Sequence, residues 1–346
     1  MKKLRIAVIG VGHLGRHHAR ILASMPGVAL VGVADSSAAR CAEVAGQCGV
    51  PAYEDYRTLL PRVDAVSVAV PTCYHFDIAQ AFLNAGKSVL VEKPLTASLS
   101  QANQLVELSR LRGVILQVGH IERFNPVLGA NPHPGVPPRF IEARRVGPFS
   151  FRSTDISVVF DLMIHDLDIV HSLVGEMPVQ VSATAWSVFG GKEDVAFAHL
   201  TFGCGTVATL TANRAAVKPQ RVMNVWWPHS HAELDFATQR TQVCEPTSAF
   251  FQAGTRLLNP PFQAIPALRA ALHQVYFDVV EHDHSGGTEL LALELEQFVS
   301  CVRERREPLV NGERARDAIQ LAEAVENAAR GQTPSLQPAS SVAIAA

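Results

Sequence analysis

The sequence predicts an α/β fold, with a doubly wound parallel sheet at the N-terminus and an α+β domain with a largely antiparallel sheet behind it. Up to residue 118, short apolar runs alternate with helical patterns, which is the spacing of right-handed βαβ crossovers in a parallel sheet. Beyond residue 119, strand-like runs dominate, as in an antiparallel sheet. The 346 residues are enough for two domains. We therefore expect one domain over 1–119, a second over 120–330 and a mobile tail over 331–346.

The first domain is expected to contain strands separated by helices. The strands are predicted at residues 4–9, 28–34, 52–53, 63–70, 88–92 and 114–118. These runs are short and apolar, which is typical of strands buried on both faces. Helices are predicted after residue 15 and at 37–48, 75–85 and 98–111. Since ligands bind at the carboxyl ends of strands in such sheets, the loops that follow the strands are the first places to look for a site.

The second domain begins with a proline-rich connector up to residue 138. We predict strands at 140–146, 179–186, 195–202, 206–212, 222–227 and 232–236, and helices at 158–173, 289–305 and 314–330. An antiparallel sheet commonly packs one face on a core and leaves the other face available. The available face predicts self-association through the C-terminal sheet, as a homodimer or a homotetramer.

A glycine-rich turn, Gly10-Val11-Gly12-His13-Leu14-Gly15, joins the first strand to the first helix. Strand, G-x-G-x-x-G and helix in this order form the dinucleotide-binding fingerprint of the Rossmann fold, in which the second glycine lets the backbone approach a pyrophosphate. Asp35 ends the second strand twenty residues after Gly15, where a carboxylate meets the ribose hydroxyls and disfavours a 2′-phosphate. The predicted cofactor is therefore NAD. Arg40 is the nearby residue that weakens the preference for NAD over NADP.

Two loops at the carboxyl ends of strands complete the predicted cofactor site. Pro71-Thr72-Cys73-Tyr74-His75 follows the fourth strand, and Glu92-Lys93-Pro94 follows the fifth. A lysine near a cofactor is a candidate acid–base group, because burial lowers a lysine pKa into a useful range. A solvated loop lysine is the alternative, although the chain has only six lysines beside 24 arginines. The predicted cofactor-binding residues are Gly10, Gly12, His13, Leu14, Gly15, Asp35, Arg40, Pro71, Thr72, His75, Glu92 and Lys93.

A second group of candidate residues lies on the predicted helix at 158–173. Asp161, His165 and Asp168 are spaced i, i+4 and i+7, so they are expected to share one helix face. A histidine between two carboxylates is held in orientation and its imidazolium form is stabilised, as a general base requires. One histidine with aspartates is a poor zinc set, so no metal is expected. A solvated polar face is the alternative that this pattern leaves open.

Composition and charge argue against several classes of function. The formal net charge is −2, without a basic stripe that would indicate nucleic-acid binding. No apolar run approaches the ~20 residues that span a bilayer, so no membrane association is expected. The six cysteines are dispersed, which indicates neither a disulfide framework nor a zinc site and fits a soluble protein of the cytoplasm. His282-Asp283-His284 is spaced like a metal pair but is followed by two glycines, and we predict an exposed loop there.

The glycine turn, Pro71-Thr72…His75, Glu92-Lys93-Pro94 and Asp161…His165…Asp168 together resemble the motifs of the Gfo/Idh/MocA oxidoreductases, over nearly the whole chain. The resemblance implies an NAD-dependent dehydrogenase that acts on a CH–OH group. It also implies that Lys93, Asp161 and His165 are catalytic and flank the reacting carbinol carbon. Met163 departs from the glycine of the Asp-x-Gly-x-His pattern in many members, which alters the pocket but not the catalytic pair.

Within the family, residues 119–126 and 163–168 resemble the branch that contains UDP-N-acetylglucosamine 3-dehydrogenases. This resemblance implies oxidation of a sugar hydroxyl, at C3 of a UDP-linked N-acetylhexosamine, to a 3-keto sugar nucleotide. The proton acceptor is either His165, oriented by Asp161, or Lys93. One alternative is a dehydrogenase of a free sugar or polyol such as inositol. Another is a non-catalytic dinucleotide-binding regulator, against which the presence of Lys93 and the Asp161–His165 pair argues.

A UDP-sugar carries a diphosphate, so its pocket needs cationic donors beyond those that hold NAD. Arg123 and Asn125 lie where the chain leaves the first domain, and Arg152 precedes the helix at 158–173. Arg144 and Arg145 are either further ligands of the diphosphate or the polar side of a strand. The predicted substrate-binding residues are Lys93, Arg123, Asn125, Arg152, Asp161 and His165.

Overall fold

The computed structural model describes residues 2–151, 154–258 and 260–331, and the chain divides there into two units. The first contains the chain up to Phe124 together with Thr288–Glu323, and the second contains Asn125–Gly287 together with the described residues from Ala324. The sequence places the boundary at 119/120 and assigns 288–323 to the second domain, so the structure differs on both points. Of the tail predicted at 331–346, residues 332–346 lie outside the described residues.

A parallel sheet forms the centre of the first unit, as the sequence predicts. Its strands are β1 (Leu4–Ile9), β2 (Val28–Ala34), β3 (Ala52–Tyr53), β4 (Ala65–Val68), β5 (Ser88–Glu92) and β6 (Leu116–Gly119). In the described residues they lie in the order β3-β2-β1-β4-β5-β6, and all neighbours are parallel. The order reverses between β1 and β4, which is the switch point at which doubly wound sheets bind ligands.

Helices connect these strands, and their ends follow local sequence signals. They are α1 (Gly15–Ser24), α2 (Ala38–Cys48), α3 (His75–Asn84) and α4 (Leu99–Arg112). The side chains of Ser37 and Ser98 cap α2 and α4, because each accepts a hydrogen bond from a backbone N–H in the first turn. The same two helices end at Gly49 and Gly113, both in the left-handed conformation that favours glycine.

The second unit is built on a mixed sheet. Its strands are β7 (Phe140–Val146), β8 (Pro178–Trp186), β9 (Val195–Phe202), β10 (Val207–Asn213), β11 (Gln220–Trp226), β12 (His231–Asp235), β13 (Arg240–Pro246) and β14 (Phe277–Asp283). They lie in the order β14-β13-β12-β11-β7-β10-β9-β8 within the described part of the chain. β7 and β10 are parallel and the other neighbours are antiparallel, so the prediction of a largely antiparallel sheet is confirmed.

The last two strands of this sheet, β13 and β14, are not predicted from the sequence. β14 is the edge strand, and six of its seven residues are exposed, so it has no apolar alternation to reveal it. His282 and Asp283 belong to β14, so the predicted loop is wrong for them, although their predicted exposure is confirmed. The described residues between β13 and β14 include the short α-helices α6 (Ser248–Ala253) and α7 (Ile265–Ala271), neither of which has a buried residue.

The predicted helix at 158–173 begins as a π-helical turn, Val159–Met163, and continues as α5 (Ile164–Val174). It ends at Gly175, whose φ of 83° lies in the left-handed region. The wide π turn rotates the residues before it about the helix axis relative to those after it. The regular i, i+4, i+7 face that the sequence predicts is therefore interrupted.

The two helices at the end of the chain are α8 (Leu290–Glu304) and α9 (Gly312–Ala329). Leu295 and Phe298 of α8 are fully buried and belong to the same apolar cluster as Ile6 and Leu22 of the first unit. The amphipathic pattern of α8 is therefore predicted correctly, whereas its domain is not. A helical periodicity shows that an apolar stripe exists but not which core covers it.

Candidate active site

The glycine turn after β1 has the geometry of a pyrophosphate-binding loop. Gly10 has a φ of +83°, and a Cβ there would lie 2.6 Å from the Ala69 carbonyl oxygen. A Cβ on Gly15 would lie 1.8 Å from the Gly10 carbonyl oxygen, so only glycine allows α1 to begin this close to β1. A Cβ on Gly12 would meet no described atom within 4 Å, so a ligand can approach the backbone there. This pattern of crowded and open glycines fits the diphosphate of a dinucleotide.

The start of α1 fits the same ligand. Leu14 precedes the helix and forms no side-chain cap. The N-terminal N–H groups and the positive end of the helix dipole are therefore directed at the turn, where phosphate binds. His13 lies exposed in the turn, and its ring contacts His17 edge-on at a centroid distance of 6.0 Å.

Asp35 lies at the end of β2, the position predicted for the ribose-binding acid. Its carboxylate accepts hydrogen bonds from the backbone N–H groups of Val11 (2.9 Å) and Ser37 (2.8 Å). Arg40 donates two more, from Nε at 3.2 Å and Nη2 at 2.8 Å. Burial favours the neutral acid, but the hydrogen bonds from Arg40 and the backbone hold the pKa of Asp35 below its ordinary value. The four acceptor positions of the ionised carboxylate are thus taken, so a ligand hydroxyl could bind Asp35 only by replacing one of these four donors.

His75 is predicted to contact the cofactor, but the structure buries its ring at the start of α3. Nδ1 lies 2.8 Å from the Pro94 carbonyl oxygen, and Nε2 lies 2.8 Å from the Val70 carbonyl oxygen. Burial lowers the pKa of His75, against the opposing effect of the two carbonyls. The ring therefore ties the loop after β4 to the loop after β5, which argues against the predicted contact with the cofactor. Of the other residues in this loop, Pro71 is exposed and Thr72 is half-buried.

Glu92, also predicted to bind the cofactor, turns its carboxylate into the protein. Oε1 lies 3.0 Å from Nε2 of His18, a fully buried residue of α1. Nδ1 of His18 lies 2.8 Å from the hydroxyl oxygen of Ser67 on β4. Oε2 of Glu92 accepts a hydrogen bond from the backbone N–H of Lys93 at 3.3 Å. Lys93 itself is half-buried at the carboxyl end of β5, where the sequence predicts it.

Asp161 and His165 lie on either side of the junction between the π turn and α5, and both are half-buried. Asp168 is only 2% exposed, so it differs from the other two in its surroundings. Asp161 lies within the π turn, whereas His165 and Asp168 follow it in α5, so the three residues do not share one regular helix face as predicted. π turns recur at functional sites, because they offset a side chain from the regular helix face.

Arg145, for which the sequence leaves two alternatives open, forms a buried ion pair. It lies on the packed side of β7 and is 3% exposed. Its Nη2 lies 2.8 Å from Oδ1 of Asp166, and its Nε lies 3.1 Å from each carboxylate oxygen. The buried ion pair occupies the guanidinium, which argues against Arg145 as a ligand for a substrate diphosphate. Arg144, the next residue, is exposed on the opposite side of β7.

The remaining predicted substrate residues have different surroundings. Asn125 is 2% exposed; its Nδ2 donates to the Phe236 carbonyl oxygen at 3.1 Å, and its Oδ1 accepts the Val127 N–H at 3.4 Å. The amide therefore stabilises the fold, which argues against the predicted substrate contact. Arg123 is half-buried in the short turn Ile121–Phe124 of the first unit. Arg152 lies outside the described residues.

Two buried polar residues near Glu92, His18 and Glu294, are not predicted from the sequence. Each has a signal in its helix: His18 lies four residues before Leu22, and Glu294 lies four before Phe298, so each interrupts an apolar stripe. A charged or titratable residue on a buried face has to be paired or neutral, which makes it a candidate for function.

Neither a metal centre nor a membrane segment is found in the part of the chain that the structure describes. No group of three or more histidine, cysteine, aspartate or glutamate side chains in these residues is placed to hold a metal ion. None of the described helices combines the length and the apolar character needed to cross a membrane.

The strand order, the glycine turn and Asp35 define a dinucleotide-binding protein of the Rossmann class. Residues 4–120 match the family model described as "Oxidoreductase family, NAD-binding Rossmann fold", and residues 141–230 match the "GFO/IDH/MocA C-terminal domain". The chain belongs to the GFO/IDH/MocA family of NAD-binding oxidoreductases.

Similarity to individual members extends over nearly the whole chain. A UDP-N-acetylglucosamine 3-dehydrogenase of Acidithiobacillus ferrooxidans is 36% identical over 331 residues, 94% of this chain and 98% of that enzyme. A solved structure of the A. ferrooxidans enzyme superposes with a TM-score of 0.82, covering 96% of this chain and 99% of that one at 33% identity. A scyllo-inositol 2-dehydrogenase (NAD(+)) of Bacillus subtilis is 28% identical over 351 residues, 96% of each chain. Levoglucosan dehydrogenase, solved with NADH and levoglucosan, shares the fold at 17% identity, with a TM-score of 0.78 and coverage of 98% of this chain and 100% of that one.

Proposed function

We propose that the protein is an NAD-dependent dehydrogenase that oxidises the C3 hydroxyl of a UDP-linked N-acetylhexosamine to the 3-keto sugar nucleotide. Similarity to the A. ferrooxidans UDP-N-acetylglucosamine 3-dehydrogenase carries this proposal, since it spans both units at 36% identity. The open backbone at Gly12 and the carboxylate of Asp35 support the use of NAD.

Three side chains are assigned to the chemistry. His165 takes the proton of the reacting hydroxyl, and Asp161 orients its ring and stabilises the imidazolium that forms. Lys93 donates a hydrogen bond to the reacting oxygen and favours its developing negative charge. When bound, NAD supplies the acceptor for the hydride of the carbinol carbon. In the alternative assignment, Lys93 is the proton acceptor and His165 holds the oxygen.

Recognition of the sugar nucleotide falls to a smaller set of arginines than the sequence predicts. The pairing of Arg145 with Asp166 removes it from the set, and the buried amide of Asn125 is occupied in the fold. Arg123 and Arg152 are left as the proposed ligands of the diphosphate, by bidentate hydrogen bonds.

The protein is further proposed to be a cytoplasmic homodimer or homotetramer that associates through the mixed sheet of the second unit. On this sheet Trp186 of β8 and Phe197 of β9 are both nearly half exposed and stack on each other at 5.9 Å. Exposed aromatic side chains on a sheet face are typical of an association surface. In the cytoplasm the six thiols, all free, would stay reduced.

The experiment that tests the function is NADH formation from a panel of substrates, with an aminotransferase added to remove the 3-keto product. UDP-N-acetylglucosamine should exceed N-acetylglucosamine, glucose and myo-inositol in kcat/KM by about 10²-fold or more, because binding of the remote nucleotide is used in the transition state. UDP-N-acetylglucosamine carrying deuterium at C3 should transfer the label to NADH. Retention of the label in the sugar would show that another carbon is oxidised.

A second candidate function is the oxidation of a free polyol, which the similarity to the B. subtilis scyllo-inositol 2-dehydrogenase favours. Strong activity on inositol without activity on any sugar nucleotide would select it. Tight NADH binding without turnover of any substrate in the panel would instead indicate a non-catalytic regulator.

A further inference from the structure

A connected set of buried polar side chains leads from α1 to Lys93. His18 is fully buried, with Ser67 on one ring nitrogen and Glu92 on the other. Because an ionised carboxylate has no proton to donate, Nε2 of His18 has to carry the hydrogen of the 3.0 Å contact with Glu92. The second carboxylate oxygen accepts the N–H of Lys93. One side chain of α1 is thus two hydrogen bonds away from the backbone of the proposed catalytic lysine.

Glu92 is confined from the neighbouring strand as well. Glu92 and Gly119 are partners in the pairing of β5 with β6. A Cβ on Gly119 would lie 3.0 Å from Oε2 of Glu92 and 3.1 Å from its carboxyl carbon. The carboxylate therefore lies against the bare Cα of Gly119, and a larger residue would displace it. His18 and Gly119 together leave Glu92 one orientation, the one that accepts from Lys93.

Glu294 of α8 limits the negative charge of this cluster. It is fully buried, and neither carboxyl oxygen has a hydrogen-bond partner among the described residues. Burial, together with the charge of Glu92, raises the pKa of Glu294 well above its ordinary value. Burial also opposes ionisation of Glu92, but the hydrogen bond and charge of His18 and the charge of Lys93 lower its pKa. Ionisation is therefore favoured at Glu92 and opposed at Glu294.

We propose that His18 is a positioning residue for the dehydrogenase reaction: it orients Glu92, and Glu92 in turn holds the backbone of Lys93 at the end of β5. In this role His18 touches neither substrate nor cofactor. Its expected effect on turnover rests on the proposed function. A displacement of Lys93 by about 1 Å is enough to cost up to about 10²-fold in rate, because proton transfer and charge stabilisation depend on contact geometry.

Two substitutions at position 18 separate this role from simple burial. In His18→Gln the amide nitrogen of the longer side chain reaches the place of Nε2, so the donor to Glu92 is kept. In His18→Asn the amide reaches only the place of Nδ1, so the contact with Ser67 is kept and that with Glu92 is lost. We expect kcat to fall about 10-fold or more in His18→Asn, with the KM for NAD unchanged, and to be largely restored in His18→Gln. His17→Asn, on the same helix and without contact to Glu92, is the matched control.

A second measurement does not depend on turnover. The rates at which individual lysines are reductively methylated can be followed by mass spectrometry of peptides. In His18→Asn the rate for Lys93 should change severalfold, since its backbone is no longer held by Glu92. Lys87, which directly precedes β5, serves as the internal standard and should keep its rate. His18→Gln should resemble the native protein at both lysines.

The outcomes distinguish the positioning role from the proposed function. Equal kcat and equal Lys93 labelling in the native, Asn and Gln proteins would overturn the role of His18. Equal losses in the Asn and Gln variants, with an equally lowered Tm, would overturn it too, because they would indicate a purely structural histidine. If the native protein turned over no sugar nucleotide while Lys93 labelling still changed only in His18→Asn, the positioning role would stand and the proposed function would fail.

Discussion

Both units bury charge, but they stabilise it in opposite ways. In the second unit, Arg145 and Asp166 form a bidentate ion pair whose side chains are 3% and 4% exposed. A second pair in the same unit, Arg214 with Asp194, is formed at 2.7 Å and is also buried. In the first unit, Glu92 is paired with a histidine instead of an arginine, and the neighbouring Glu294 has no hydrogen-bond partner among the described residues.

The difference shows how buried charged residues that stabilise the fold can be distinguished from those that support the reaction. In the two buried pairs of the second unit, the planar guanidinium and carboxylate bind each other away from solvent, which commits both side chains to the fold. A histidine–carboxylate contact beside a buried acid with a raised pKa, next to a lysine, is the kind of arrangement that clusters at functional sites. The two clusters should therefore respond differently to substitution.

The largest effect is expected where the matched pair is broken. Arg145→Leu should lower the free energy of unfolding by about 3–5 kcal/mol, because it leaves the buried Asp166 carboxylate without the guanidinium that neutralises it. Arg144→Leu changes the next residue, on the exposed side of β7, and should stay within about 0.5 kcal/mol. Denaturant titration measures both. The double variant with Asp166→Leu should recover most of the loss, and a double variant as unstable as Arg145→Leu would contradict the ion-pair explanation.

The next effect concerns the residues assigned to chemistry. Lys93→Met and His165→Ala should each lower kcat on the order of 10²-fold or more, the usual scale for an acid–base group, with little change in Tm. NADH affinity, measured by calorimetry, should be nearly unchanged in His165→Ala. Lys87→Met is the matched lysine control and should keep native turnover. A variant of Lys93 or His165 that keeps near-native kcat would refute the role given to that residue.

A smaller effect depends on pH. Glu294 keeps its proton in the folded chain above the pH at which the unfolded chain loses it, so its ionisation favours unfolding. The contribution of Glu294 to native stability should therefore fall as pH rises from about 4.3 towards the raised pKa of the folded state, by up to about 1.4 kcal/mol per pH unit. Glu294→Gln removes this dependence, and its stability relative to the native protein should increase with pH. Glu296→Gln changes an exposed position of the same helix. Its curve of stability against pH should run parallel to that of the native protein. Parallel curves for Glu294→Gln as well would mean that the buried acid is ionised.

The smallest effect is expected at the cofactor. NAD(H) should bind well ahead of NADP(H), because the ionised Asp35 repels a 2′-phosphate. Arg40→Ala releases two acceptor positions of Asp35 and should tighten NAD(H) binding by up to about 5-fold, the scale of one exposed ion pair. Calorimetric titration of both cofactors tests this, with Arg57→Ala as an exposed arginine control. Weaker NAD(H) binding in Arg40→Ala would show that the guanidinium itself contacts the cofactor.

The features that the sequence predicts best are those set by local patterns. The bounds of β1, β2 and β5 agree with prediction to the residue, because a buried parallel strand is a continuous apolar run ended by a turn. Ser37 and Ser98 mark the starts of α2 and α4 through their caps. The glycine turn and Asp35 are predictable because a fixed spacing carries their geometry.

The partners of buried polar side chains are the part that could not be predicted. His75, Asn125 and Arg145 all lie in or near recognisable motifs, yet each is used inside the fold. Their partners come from elsewhere in the chain: Asn125 donates to residue 236, and Arg145 to residue 166. A motif predicts where a residue lies along an element, but the direction of its side chain depends on packing that local sequence does not contain.

The discontinuity of the first unit also matters during biosynthesis. Its core includes Leu295 and Phe298, which emerge from the ribosome long after β1 to β6 have been made. Because translation adds about 5–20 residues per second, the apolar side of α1 stays uncovered for on the order of 10 s before α8 is synthesised. A fragment that stops at Phe124 would lack this cover altogether and should aggregate. The cofactor-binding unit is therefore completed only near the end of translation, and it is not a module that can be cut out of the chain.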